Sequence, residues 1–216
     1  RVSKGDLKDA GANSPEELDF GNYLWKNPGT KDLTSGTLLL KELVRRFTFG
    51  DKEYFQSLWL SYLKWVFVHW ADPSRPTHIK GNALDAVPGN IKIGKDNEFH
   101  VFDLEWESKE SIPKTWLIFR AVWMLQREAE LGVRAGVFTG PADLYLRTCE
   151  WLHFAPALEA DAILEAGFQG QIGKATDREK SKALLLNLFA TGTDHRCMPQ
   201  SPQGMHGLLS QTEELQ

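Results

Sequence analysis

Cysteine is scarce in this chain: Cys149 and Cys197 are the only two among 216 residues. Cys149 lies in a stretch of helical character and Cys197 in a polar segment, so the sequence indicates neither a disulfide framework nor a zinc site. Such sparing use suits a reducing compartment, and we expect a cytoplasmic protein. No apolar run approaches the roughly 20 residues of a membrane span, and no signal-peptide pattern is present, so we expect no membrane span.

Long runs of one charge are also missing. The formal net charge is −4 and no long basic run occurs, which excludes the electrostatic footprint of a nucleic-acid-binding protein. No two histidines form a His-x-x-x-His pair, so the sequence does not indicate a helix-borne zinc site. No Gly-x-Ser-x-Gly occurs either, and this argues against an α/β-hydrolase.

Apolar and aromatic residues, by contrast, are abundant. Hydrophobic residues make up 42% of the chain and include eight Trp and twelve Phe, enough for the core of one ordinary domain. Apolar residues at helical spacing predict helices at about 35–47, 51–70, 116–125, 141–153, 156–166 and 178–189. A cap-like run, Asn13-Ser14-Pro15-Glu16-Glu17, predicts a further short helix near the start. The predicted fold class is therefore α+β and predominantly helical.

One short hairpin is predicted to interrupt this helical pattern. Residues 91–93 and 99–102 alternate in polarity as two strands joined by a tight turn would. Asp85 and Asn90 precede the first strand, and Asp103 directly follows the second. The hairpin would therefore bring these three polar side chains together at one edge.

This spacing resembles the catalytic centre of the protein-kinase-like phosphotransferases, in which an Asp-x-x-x-x-Asn loop and a later Asp surround the metal-bound phosphates of a nucleotide. The Pro88-Gly89-Asn90 ending is more similar to the aminoglycoside and choline kinase branch than to the protein kinases. The run Asp103-Leu104-Glu105-Trp106 stands in place of Asp-Phe-Gly. The pattern is most similar to kinase-like modules attached to bacterial methyltransferases and glycosyltransferases that build surface polysaccharides.

The resemblance implies a role for each of these residues. Asp85 would be the catalytic base that accepts the proton of the attacking hydroxyl. Asn90 and Asp103 would bind Mg²⁺ and, through it, ATP, and Glu105 would be a further candidate ligand for the metal. Oxygen ligands including only one or two carboxylates suit Mg²⁺. The implied reaction transfers the γ-phosphoryl group of ATP to a hydroxyl of a sugar or other small molecule.

The resemblance covers about residues 36–130 and concerns the C-terminal lobe alone. Ala83 stands where that family has His two residues before the catalytic Asp. Residues 1–80 contain no Gly-x-Gly-x-x-Gly and no strand with the phosphate-binding Lys, so we expect a piece of a longer polypeptide whose missing N-lobe or attached transferase domain is its partner. The predicted organisation is a polar lead-in (1–34), a kinase-like helical C-lobe (35–190) and a disordered tail (191–216).

Two other functions remain open from the sequence. Asp and Asn are frequent at turns because they tolerate left-handed backbone and hydrogen-bond to their own backbone. The same motif therefore also fits a non-catalytic kinase-like scaffold attached to a methyltransferase or glycosyltransferase. A third alternative is a helical interaction domain in which the acidic loop has no chemical role.

The helix predicted at about 116–125 contains one charged residue, Arg120, within its apolar stripe. Arg120 could be a buried partner for a loop carboxylate, or its charged end could reach the surface while the aliphatic stem stays buried. The sequence leaves both placements open.

Overall fold

The computed structural model describes residues 17–26, 36–129, 138–172, 182–183 and 185–187. The predicted tail lies outside the described residues, and so do Asn13–Glu16 and most of the loop before Gly140. Of the helix predicted at about 178–189, the described residues are helical. Across the described part of the chain, no helix combines the length and the apolarity needed to cross a membrane.

The described elements are, in chain order, β1 (Glu17–Asp19), β2 (Tyr23–Lys26), β3 (Thr37–Leu38), α1 (Leu39–Thr48), α2 (Lys52–His69), β4 (His78–Ile79), two 3-10 turns (Gly81–Ala83 and Pro88–Asn90), β5 (Ile91–Ile93), β6 (Phe99–Val101), β7 (Trp106–Ser108), β8 (Ile112–Pro113), α3 (Lys114–Ala129), α4 (Pro141–Trp151) and α5 (Leu158–Gln171). The mixed and predominantly helical class is confirmed. The prediction of a single hairpin gave too few strands. The described strands form three small antiparallel sheets, ordered β1-β2-β7, β3-β5-β6 and β4-β8.

The helices follow from local sequence signals. In α1 the residues Leu39, Leu43 and Phe47 recur every fourth position and are all buried. Helix α2 begins where the Asp51 carboxylate accepts a hydrogen bond from the backbone N–H of Tyr54 at 3.3 Å, which satisfies an N–H group that the helix leaves open. Helix α3 packs against α1, α4 and α5. It therefore lies at the centre of the helical layer.

The hairpin predicted after Asn90 is present. Strands β5 and β6 pair antiparallel in the register Ile91↔Val101, Lys92↔His100 and Ile93↔Phe99. Asn97 in the connecting turn has φ of 60°, a left-handed conformation that Asn adopts more readily than most residues. Strand β3 adds to the outer side of β5.

The short helix predicted near the start is wrong where the structure describes that region. Residues from Glu17 form strand β1, which pairs with β2, and β2 in turn pairs with β7 in the register Trp25↔Trp106. Tyr23 and Trp25 are buried in the common core. The segment predicted as a polar lead-in thus contributes two strands and two core side chains.

Helices α3, α4 and α5 meet at a buried polar cluster. Asp161 of α5 is 1% exposed, and its carboxylate accepts hydrogen bonds from the hydroxyls of Tyr145 at 2.7 Å and Thr115 at 3.2 Å. The Tyr145 oxygen also accepts a bond from the backbone N–H of Ala157 at 2.8 Å. Burial raises the pKa of Asp161 from its ordinary 3.8 to about 6, while the two hydroxyl hydrogen bonds act in the opposite direction.

We expect the free energy of unfolding to depend on pH through Asp161. Because its pKa is higher in the folded chain, its stabilisation is complete below its unfolded pKa of 3.8 and is lost as the pH rises through about 6. The gap between these values corresponds to about 3 kcal/mol. Between about pH 4 and about pH 7, the difference in unfolding free energy between Asp161→Asn and wild type should therefore move by up to about 3 kcal/mol in favour of the variant. Urea denaturation at both pH values measures this, and parallel pH profiles would contradict it.

Candidate functional site

The loop that carries Asp85 is held against the core. Its residues Ala83, Leu84 and Ala86 are fully buried. The hydroxyl of Tyr62, itself buried in α2, donates a hydrogen bond to the carbonyl oxygen of Ala86 at 2.8 Å. Because the loop is bonded to a long core helix, the backbone that carries Asp85 has a defined position.

Asn90 closes the loop that begins at Asp85. Its side-chain N–H donates to the carbonyl oxygen of Asp85 at 2.9 Å. Since a carbonyl can only accept, this bond assigns the amide nitrogen to that side and directs the amide oxygen Oδ1 away from it. The carbonyl oxygen of Asn90 accepts from the backbone N–H of Phe102 at 3.2 Å, which brings the loop next to Asp103.

The carboxylate of Asp85 is oriented by two protein groups. Oδ2 accepts a hydrogen bond from the backbone N–H of Glu105 at 3.2 Å, and Oδ1 lies 3.6 Å from a terminal nitrogen, Nη2, of Arg120. Asp85 is 7% exposed. Glu105, which directly precedes strand β7, and Arg120 of helix α3 therefore contact opposite oxygens of this carboxylate.

Asp103 and Glu105 lie beside this loop but differ in environment. Asp103 is half-buried, between Phe102 and Leu104 at the end of the hairpin. Glu105 is 8% exposed, and its backbone bonds to both Asp85 and the N–H of Lys26. Asp103 is thus the more accessible of the two acidic side chains.

The structure brings all four predicted site residues to one edge of the β5–β6 hairpin. Within the described ranges there is no cluster of three or more His, Cys, Asp or Glu side chains that could hold a metal ion. The predicted ligand set of Asn90, Asp103 and Glu105 contains only two carboxylates, which is the sparse oxygen donor set that Mg²⁺ accepts. The role of each residue stays a prediction.

Arg120 is a buried partner of two acidic side chains. It is 8% exposed, and its Nη1 donates to both carboxylate oxygens of Glu165, at 3.1 and 2.9 Å. The same carboxylate accepts from the indole N–H of Trp116 at 3.0 Å and from the amide of Gln169 at 2.7 Å. Of the two placements that the sequence left open for Arg120, the buried one with a loop carboxylate is the observed one.

Two residues at the site were missed from the sequence. Glu165 is fully buried on the inner side of α5, as is Asp161 one turn before it. The acidic residues of α5 were a weak signal, because nothing in the sequence distinguishes Glu165 from Glu159 and Asp161. Tyr62 carried no comparable signal, because it is one of many aromatic residues in α2.

Comparison with known proteins adds no family, since no family model, no curated protein and no solved structure matches this chain. The kinase-like resemblance is therefore carried by the spacing of Asp85, Asn90 and Asp103.

Proposed function

We propose that this chain provides the catalytic edge of a Mg²⁺-dependent phosphotransferase. The reaction transfers the γ-phosphoryl group of ATP to a hydroxyl of a sugar or other small molecule. One observation carries the proposal: Asn90 bonds through its side chain to the carbonyl of Asp85 and through its own carbonyl to the N–H of Phe102. A base candidate and two oxygen ligand candidates therefore converge on one edge.

Each residue has a distinct task in the proposed mechanism. Asp85 accepts the proton of the attacking hydroxyl. The backbone N–H of Glu105 donates to Oδ2 of Asp85 and thereby limits the rotation of the carboxylate. Asn90, through Oδ1, and Asp103 would hold Mg²⁺, for which hard oxygen donors are the fitting chemistry. When bound, the metal supplies positive charge that neutralises the phosphoryl oxygens.

The proposed module lacks the phosphate clamp, the glycine-rich loop and Lys that bind the ATP phosphates in this family. Phosphoryl transfer depends mostly on positioning and charge stabilisation, and residues 1–80 contain no glycine-rich loop or phosphate-binding Lys motif. We therefore assign the clamp to an N-lobe outside these 216 residues. An attached methyltransferase or glycosyltransferase domain is the second partner that the proposal allows.

A second candidate function is a kinase-like scaffold without catalysis. The observation that favours it is the enclosure of Asp85, which is 7% exposed and has a protein partner at each carboxylate oxygen. An Asp held in this way also serves as a structural turn residue. The two candidates differ in whether removal of the charge of Asp85 changes a rate or only a fold.

Ligand-dependent thermal stabilisation tests the metal site. In the full-length polypeptide, Mg²⁺ with a non-hydrolysable ATP analogue should raise Tm, because a ligand that binds only the native state adds about 2.7 kcal/mol at about 100 times its Kd. Asp103→Ala should lose most of that rise. Asp96→Ala, a change at an exposed position in the hairpin turn, is the matched control and should keep it. An equal rise for Asp103→Ala and wild type would remove Asp103 from the site.

A further inference from the structure

Arg120 is shared unequally between two carboxylates. It donates two hydrogen bonds to Glu165, whereas its Nη2 lies 3.6 Å from Oδ1 of Asp85, beyond an ordinary hydrogen bond. Its guanidinium also lies 4.5 Å from the ring centroid of Phe168. Arg120 is thus fixed by α5 and presents a charge to Asp85 without closing a tight ion pair.

Glu165 is in turn held by three donors from two helices. Trp116 and Arg120 reach it from α3, and Gln169 reaches it from its own helix α5. The carboxylates of Asp85 and Glu165 therefore face one guanidinium. Arg120 makes its closer contacts to Glu165 and its longer one to Asp85.

We propose that Arg120 is a positioning residue that orients the carboxylate of Asp85 for proton acceptance, and that Glu165 holds Arg120 in place. This inference rests on the proposed phosphotransferase function. Together with the N–H of Glu105, Arg120 determines the orientation of Asp85 from two sides. Arg120 acts through Asp85 and has no contact with the reacting groups.

The test compares two variants that both lack the charge of Glu165. Removing Arg120 alone takes away the cation that faces both Glu165 and Asp85, which is costly to the fold, and removing the charge of Glu165 as well reduces that cost. We therefore compare Glu165→Gln with Glu165→Gln/Arg120→Met in the full-length protein. The loss of Arg120 should lower kcat about tenfold, the range expected for coupled neighbours. KM for ATP should change less than about twofold, since Arg120 does not contact the nucleotide.

The same comparison in an Asp85→Asn background identifies the route of the effect. If Arg120 acts by orienting Asp85, the difference in kcat between the two variants should disappear when the carboxylate is absent. Equal kcat values in the first comparison, or an undiminished difference in the Asp85→Asn background, would overturn the inference while leaving the proposed function intact. A wild-type protein with no Mg²⁺- and ATP-dependent transfer would overturn the proposed function and this inference together.

Discussion

Replacing Asp85 by Asn is expected to lower the rate of phosphoryl transfer by about 10²–10⁴-fold, the usual contribution of a general base. The change keeps the size of the side chain and an oxygen that can accept the bond from Glu105. It removes the charge that accepts the proton and replaces one carboxylate oxygen with an NH₂ group. Arg120 retains its two bonds to Glu165, so no buried cation is left without a partner, and Tm should stay within a few degrees of wild type.

The measurement pairs transfer rates of the full-length protein with its melting temperature. Asp96→Asn makes the same chemical change at an exposed position in the hairpin turn and should leave both quantities unaltered. If Asp85→Asn instead retains transfer but loses the fold or the activity of an attached domain, Asp85 is a structural turn residue. The scaffold function would then replace the phosphotransferase.

The second large effect is expected at Gly81, where the chain enters the site loop. A Cβ atom there would lie 1.9 Å from the carbonyl oxygen of Ser108 and 2.5 Å from that of Glu110. Both neighbours are backbone atoms, so the clash cannot be relieved by rotation of a side chain. Gly81→Ala should reduce the free energy of unfolding by at least about 3 kcal/mol.

Gly50 provides the control for this substitution. A Cβ at Gly50 would meet nothing within 4 Å, and the only obstacle is its φ of +71°, a left-handed conformation that costs other residues about 1–2 kcal/mol. In chemical denaturation, Gly81→Ala should therefore have a much lower free energy of unfolding than Gly50→Ala. Equal losses would show that the loop and strand β7 separate easily.

The elements that could be predicted from the sequence are those with local signals. Helix α2 was predicted from its dense apolar pattern, and the β5–β6 hairpin from alternation and its turn. The β1–β2 hairpin also had a local signal, the Gly21-Asn22 pair, with Gly21 at φ of +78°. The cap-like residues that precede it favour a helix, so the two local signals conflict.

The site divides in the same way. The spacing of Asp85, Asn90 and Asp103 lies within one short stretch and could be recognised. The contact between Arg120 and Glu165 joins two helices far apart in the chain, and no periodicity specifies which buried acid meets which buried base. Only the packing of α3 against α5 determines that pair.

The pairing of β2 with β7 has a consequence for synthesis on the ribosome. Strand β2 leaves the ribosome long before Trp106, the residue that pairs with Trp25. Until strand β7 is synthesised, Tyr23 and Trp25 of the first hairpin are exposed to solvent. Contacts between distant segments form slowly because a long loop has to close first. During that interval the nascent chain presents apolar side chains and an unpaired strand edge, the features that recruit chaperones or promote aggregation. The β2–β7 pairing therefore makes formation of the folded site depend on a brief, vulnerable stage of its translation.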